Sequence, residues 1–222
     1  MLVSVVVPTY ATPQEGLDRL IASLDRQTMP AGEFEVIFVD DGSPDDTVAR
    51  LRELASTRPH VRVVRLGNSG WPSKPRNHGT DLATGEYVAY VDPDPELYPD
   101  ALRAAYAFAV ANDAVVANGK EAYTNRPDWG MSTYTRDFPQ ALGRTDTHPL
   151  LPMNPHKLYR RAFLQEHAIR FPEGRRVLWE DALFNLQVAR HAKVVSTLAS
   201  TPFYHWSQTK GGGTDTAFAK WS

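Results

Sequence analysis

The stretch that most restricts how this chain can fold is residues 87–97, Y-V-A-Y-V-D-P-D-P-E-L. Its first five residues are uncharged and mostly aromatic or β-branched, which suits a buried strand. From Asp92 onward Pro93 and Pro95 alternate with Asp94 and Glu96, and a central strand cannot continue through residues that lack an N–H. An apolar strand that delivers two carboxylates at its carboxyl end leaves two readings. One is an acidic turn capping the next helix. The other is a seat for a hard divalent cation, because Mg²⁺ and Mn²⁺ take oxygen ligands and share them with phosphates.

The flanking sequence decides between them. Residues 2–7 form another largely β-branched run, closed by Pro8, Thr9 and Tyr10. Thr12, Pro13 and Glu15 then have the spacing of a capping box with proline at the first helical position, ahead of Leu17, Leu20, Ile21 and Leu24 at helical period. Residues 34–39 predict a strand ending in Asp40-Asp41-Gly42-Ser43, and Ser43-Pro44 opens a helix with Val48, Leu51 and Leu54 on one face. Residues 61–66, 87–91 and 114–117 predict further strands, with helices over 75–83 and 99–111. Such alternation implies right-handed βαβ crossovers and a mostly parallel, Rossmann-like sheet flanked by helices. Ligands of such sheets bind beyond the carboxyl ends of the strands. That rule gathers Thr9 and Tyr10, Asp40 and Asp41, and Asp92 and Asp94 on one rim, and it favours the cation over the turn.

Beyond Lys120 the pattern fades into a polar stretch to Pro152 carrying Tyr123, Trp129, Tyr134 and Phe138; so long an unpatterned segment inside a domain is functional or mobile. Residues 157–159 and 161–167 then predict a short strand and helix, Trp179-Glu180-Asp181 opens another helix, and 194–198 and 203–206 predict late strands forming a small second sheet or an extension. The 222 residues suffice for one domain, and no linker divides them. Twenty-four basic against 26 acidic residues leave no nucleic-acid footprint, and the absence of cysteine excludes disulfides and zinc–thiolate sites. Without a basic start or a run of about 20 apolar residues, no signal peptide or transmembrane segment is expected. The expected location is cytoplasmic, or peripheral at the inner membrane face.

In order, V-S-V-V-V-P-T-Y, F-E-V-I-F-V-D-D-G-S, P-R-N-H-G-T-D-L-A-T-G-E-Y-V-A-Y-V-D-P-D and W-E-D-A-L-F resemble the family 2 glycosyltransferases of GT-A fold. The likeness covers about residues 1–110 and returns through 154–190. It implies one α/β domain over 1–222, with a nucleotide-sugar-binding half to about 119 and an acceptor-binding half after it. It also implies inverting transfer of a sugar from a nucleotide diphosphate-sugar donor to a carbohydrate or other small-molecule hydroxyl, with Mn²⁺ or Mg²⁺ as cofactor. On this resemblance Pro8, Thr9 and Tyr10 border the base, Asp41 hydrogen-bonds it with Asp40 close by, and Arg76 and Asn77 lie near the ribose and diphosphate. Asp92 and Asp94 match the D-x-D, Asp94 as the direct metal ligand and Asp92 as a ribose or second metal contact. Asp181, beside Glu180, matches the catalytic base.

The chemistry asks for these residue types. A departing diphosphate needs a cation, and inversion needs a base on the opposite face of the sugar. A helix N-terminus favours an ionised carboxylate, although Glu180 and Asp181 would serve that dipole without any catalysis. Two departures stand out: Pro95 follows Asp94 where the family more often has a further aspartate, with Glu96 next, and many relatives continue beyond the length seen here. His205 in F-Y-H-W is either a further metal contact or a packed histidine. Lys210 with Gly211–Gly213 is a lid or a flexible tail, Lys74 a phosphate contact or a solvated charge, and Trp71 and Trp129 sugar-stacking or packed on their own domain. His156 is assigned no chemistry beyond ordering its strand. Two other functions compete. A sugar nucleotidyltransferase wants a glycine-rich basic loop where this chain reads P-T-Y-A-T-P; a catalytically silent sugar-nucleotide or glycan-binding protein would bind nucleotide without turnover.

Overall fold

The computed structural model describes residues 1–123, 132–174 and 176–206. The β-branched runs form β1 (Val3–Thr9) and β2 (Phe34–Asp40), both buried at every position. Val3, Val5 and Val7 enter one apolar cluster while Val6 enters the other. A strand covered on both faces therefore reads as continuous apolar sequence, not as an alternation. β3 (Val61–Arg65) and β4 (Tyr87–Tyr90) complete a parallel set, with Val3 opposite both Phe34 and Tyr87, and Val36 opposite Val61. The crossovers are α1 (Gln14–Asp25), α2 (Thr47–Ser56) and α3 (Ser73–Leu82). After β4 come β5 (Glu96–Leu97), α4 (Ala101–Ala111), β6 (Val116–Tyr123), β7 (Leu158–Arg160), α5 (Arg161–Glu166), α6 (Glu180–His191) and β8 (Val195–Trp206).

All eight strands lie in one sheet of order β3-β2-β1-β4-β7-β6-β8-β5. Leu17, Leu20 and Leu24 of α1 and Leu102 and Ala105 of α4 cover one face, and Phe163, Leu164, Phe184 and Val188 of α5 and α6 cover the other. Each such leucine, valine or phenylalanine contributes about 1.5–3 kcal/mol relative to leaving it exposed. β1 sits between β2 and β4, so the chain leaves it toward one edge and later returns on its other side. The carboxyl ends of β1 and β4 thus flank a topological switch point, where open α/β sheets bind ligands.

Three local expectations are corrected. β7 runs antiparallel to both β4 and β6, a direction that a short apolar run does not encode. The late strands are one continuous β8, which extends the same sheet alongside β6, with irregular register around Lys120 on β6. The capping box does not form: Pro13 is the N-cap of α1 without a side-chain bond, the Thr12 N–H donates to Thr47 Oγ1 at 3.2 Å, and Glu15 pairs with Arg19 at 2.6 Å. Among the described residues no helix is long and apolar enough to cross a membrane.

Candidate active site

The first two rim segments are built from backbone donors. Pro8 and Thr9 are buried at the end of β1, and half-buried Tyr10 follows them. Asp40, fully buried, accepts the N–H groups of Gly42 at 3.1 Å and Ser43 at 2.9 Å, together with the Ser43 hydroxyl. It thereby caps its own turn. Asp41 accepts the Ser69 N–H at 2.9 Å, the Ser69 hydroxyl at 2.8 Å and the Gly70 N–H at 3.1 Å. Burial pushes its pKa up against the pull of those bonds. Gly42 makes this turn possible, since its φ is +76° and a Cβ would stand 2.7 Å from the Asn68 backbone nitrogen. Gly42→Ala is expected to destabilise the fold by about 2–4 kcal/mol, from left-handed strain plus overpacking against backbone. A urea midpoint close to wild type would reject that reading.

Arg76 organises the third segment. It stands on α3, 3% exposed, with its guanidinium 5.2 Å from the centroid of the Phe171 ring. Phe171 stacks on Phe184 at 4.0 Å, and Tyr90 meets both edge-on, so the charge rests on an aromatic floor. One guanidinium nitrogen donates to Asp181 Oδ1 at 2.8 Å and reaches Glu180 Oε1 at 3.4 Å; the other donates to Asp92 Oδ1 at 2.9 Å. Arg76, expected beside the ribose and diphosphate, ties Asp92 of the D-x-D to Asp181 of the W-E-D. Asn77, placed by the resemblance in the same region, is engaged with the chain itself. Its amide is saturated by the Phe171 N–H and carbonyl and by Glu173, each at 2.9 Å, so it clamps the loop leading to α6.

One arginine shared by three carboxylates leaves the cluster short of positive charge, and the proton affinities follow. At Asp92 burial works upward, but the Arg76 charge and then His156 overcome it and hold the carboxyl well below the usual range. Asp181 is pushed up by burial, with Arg76 opposing and Asp92 adding to the rise. Glu180 is raised by burial and by Asp181, against Arg76 and Trp71. Trp71 itself is buried against its own domain.

His156 is the functional candidate that the sequence did not disclose. It is 1% exposed, its Nε2 lies 3.1 Å from Asp92 Oδ2, and its ring stacks on Tyr204 at 4.1 Å. The antiparallel register Ala89 to Leu158 carries residue 156 to the end of β4, so only the strand pairing betrays it. The neighbouring Lys157 is fully buried, donates to the carbonyls of Pro152 and Asn154 at 2.7 Å, and has its pKa lowered by burial to about 8.

Asp94 is exposed at the rim, whereas Glu96 accepts a bond from Arg26 at 3.2 Å. β5 pairs Glu96 with His205, whose ring meets Tyr98 edge-on at 6.0 Å; the ladder brings His205 alongside the D-P-D segment. Among the described residues no three His, Asp or Glu side chains are grouped to hold an ion. Lys74 is exposed. Trp129, Lys210 and the 211–213 glycines lie outside the described residues.

A mixed α/β sheet with a parallel half, carboxylates at its switch point and a following W-E-D helix together have the arrangement of a GT-A type protein. A profile of the family described as Glycosyl transferase family 2 matches residues 4–168, and the chain belongs to that family. It is 32% identical over 219 residues to the poly(ribitol-phosphate) beta-N-acetylglucosaminyltransferase TarS of Staphylococcus aureus, covering 98% of this chain and 38% of that protein. It is 30% identical over 212 residues to the poly(ribitol-phosphate) beta-glucosyltransferase of Bacillus spizizenii, covering 95% of this chain and 33% of that one. The chain thus spans between a third and two-fifths of these relatives. The crystal structure of S. aureus TarS 1–349 in complex with UDP-GlcNAc superposes with a TM-score of 0.87 at 30% identity, over 100% of this chain and 64% of that one. The UDP complex gives 0.85 at 32% identity, over 94% of this chain and 61% of that one.

Proposed function

We propose that this chain is a metal-dependent, inverting glycosyltransferase domain that moves a sugar from a nucleoside diphosphate donor to a polyol or carbohydrate hydroxyl. The observation that carries the reading is the Asp92–Arg76–Asp181 bridge, which sets a donor-side carboxylate and a base one guanidinium apart. The matched relatives suggest UDP as the nucleotide and a ribitol-phosphate chain as the acceptor class. Residues 1–119 would hold the donor and the remainder the acceptor.

In this reading Asp41, oriented by Ser69 and Gly70, reads the base, with Pro8, Thr9 and Tyr10 beside it. The acceptor oxygen attacks the anomeric carbon as its proton passes to Asp181. The bond from that carbon to the diphosphate oxygen breaks, and its electron pair leaves with the diphosphate. Arg76 holds Asp181 and Asp92 in place, and His156 fixes the other oxygen of Asp92.

A divalent cation would answer the charge of this rim. Arg76 is already committed to three carboxylates, so a polyanionic diphosphate would meet a rim in which negative charge dominates. Asp94 is the exposed carboxylate on that rim, with His205 a further candidate. A short protein donor set of this kind suits an ion completed by phosphate oxygens and water. Such an ion, when bound, supplies the charge that the departing diphosphate needs.

A thermal-shift panel of UDP, GDP, dTDP, CDP and ADP, each with and without Mn²⁺, tests this, because a ligand that binds only the folded state raises the melting temperature. UDP is expected to stabilise, and mainly with metal; Asp94→Ala is expected to remove the metal-dependent increment. Equal stabilisation by UDP with and without Mn²⁺ would reject the metal role.

A further inference from the structure

We propose that Trp179 heads an acceptor subsite, a platform for the C–H face of a sugar or polyol unit whose hydroxyl is presented to Asp181. The inference rests on the transferase reading above. Trp179 is 79% exposed, more than any other large apolar side chain among the described residues. Its backbone is left-handed, φ 64° and ψ 25°, a conformation unfavourable for a residue with a Cβ. Core packing accounts for neither feature. Strain held at an exposed aromatic residue next to reactive groups points to a task outside the core.

Position defines that task. Trp179 is the N-cap of α6 and directly precedes Glu180 and Asp181. Leu183 and Leu186, three residues apart on α6, share one side of the helix and are 43% and 55% exposed, while Phe184 and Val188 are buried in the core. An apolar stripe therefore runs along the outer side of α6, while Asp181 lies on the side that carries Phe184 and Val188. The donor-side carboxylates stand at the strand ends, so the N-terminal end of α6, where exposed Trp179 stands two residues from Asp181, is left for the acceptor. An indole face is electron-rich and meets the weakly positive C–H groups of a carbohydrate, whose hydroxyls remain in water. A pyranose ring and an acyclic ribitol unit share that chemistry.

The test uses protein labelled with 5-fluorotryptophan and saturated with UDP and Mn²⁺. It is titrated with oligo(ribitol phosphate) or with cellotetraose, and the Trp179 signal is assigned by its loss in Trp179→Phe. One of the two probes is expected to shift that signal saturably, and which one does so separates polyol from ring. In transfer assays from UDP-GlcNAc to the responding probe, Trp179→Gly is expected to raise the acceptor KM roughly five- to tenfold, the worth of an aromatic contact. Its kcat and UDP affinity should stay unchanged, and its Tm should rise by about 2–4 °C as the strain is released. Trp179→Tyr should restore most of the KM. An unchanged KM in Trp179→Gly, or no shift with either probe, overturns the proposal. So does concentration-dependent dimerisation abolished by Leu186→Ser, which would make the stripe an interface between copies. Wild type that fails to bind UDP at all removes the transferase reading, and this inference with it.

Discussion

Asp181→Asn is expected to bind UDP with Mn²⁺ as tightly as wild type and to transfer sugar about 10²–10⁴-fold more slowly, the range for loss of a positioned general base. The amide preserves shape and still offers Arg76 an acceptor oxygen, but it cannot take the acceptor proton. Single-turnover transfer measured beside donor titration separates the two effects; a loss of less than tenfold would remove Asp181 from the base role. The pH profile gives a second check. A base works only when ionised, and burial raises the pKa of Asp181. Activity should therefore fall on acidification at a pH above the ordinary aspartate value, and that acid limb should vanish from the residual activity of the variant.

Arg76→Leu carries the largest expected loss of stability. The guanidinium is buried and pairs with Asp92, Asp181 and Glu180, and removing one partner of a buried ion cluster costs about 3–5 kcal/mol. Protonation of Asp181 and Glu180, both already raised, offsets part of this, so the loss should shrink at acid pH. Urea unfolding would measure it, and a change below about 1 kcal/mol would show that the bridge is not structural. Adding Asp181→Asn to Arg76→Leu should recover stability, because the second substitution removes a stranded charge; double-mutant cycles detect such coupling.

The contrast between Asp92 and His156 shows how far local reading reaches. Asp92 was legible because its surroundings are local: a buried strand that must stop at proline, with carboxylates following. His156 bonds the same carboxylate from 64 residues away, and nothing in N-P-H-K-L-Y signals it. Trp179 was read as the opening of a helix, and its exposure emerges only once Phe184 and Val188 have claimed the other side of α6. At Thr12 a sound local signal lost to a tertiary one, since its N–H is taken by Thr47 from α2.

The β-branched runs, the helical periods between them and the polar strand ends follow from residue order alone. Alternation, proline and turn chemistry act over a few residues, so they set where elements begin and end and hence the parallel half of the sheet. Strand direction at β7, the unity of β8, the commitment of Asn77 to its loop and the sharing of Arg76 among three carboxylates were decided by tertiary structure. Those outcomes depend on which buried donor meets which acceptor across tens of residues, and a buried polar group takes whichever partner the packed fold brings to it.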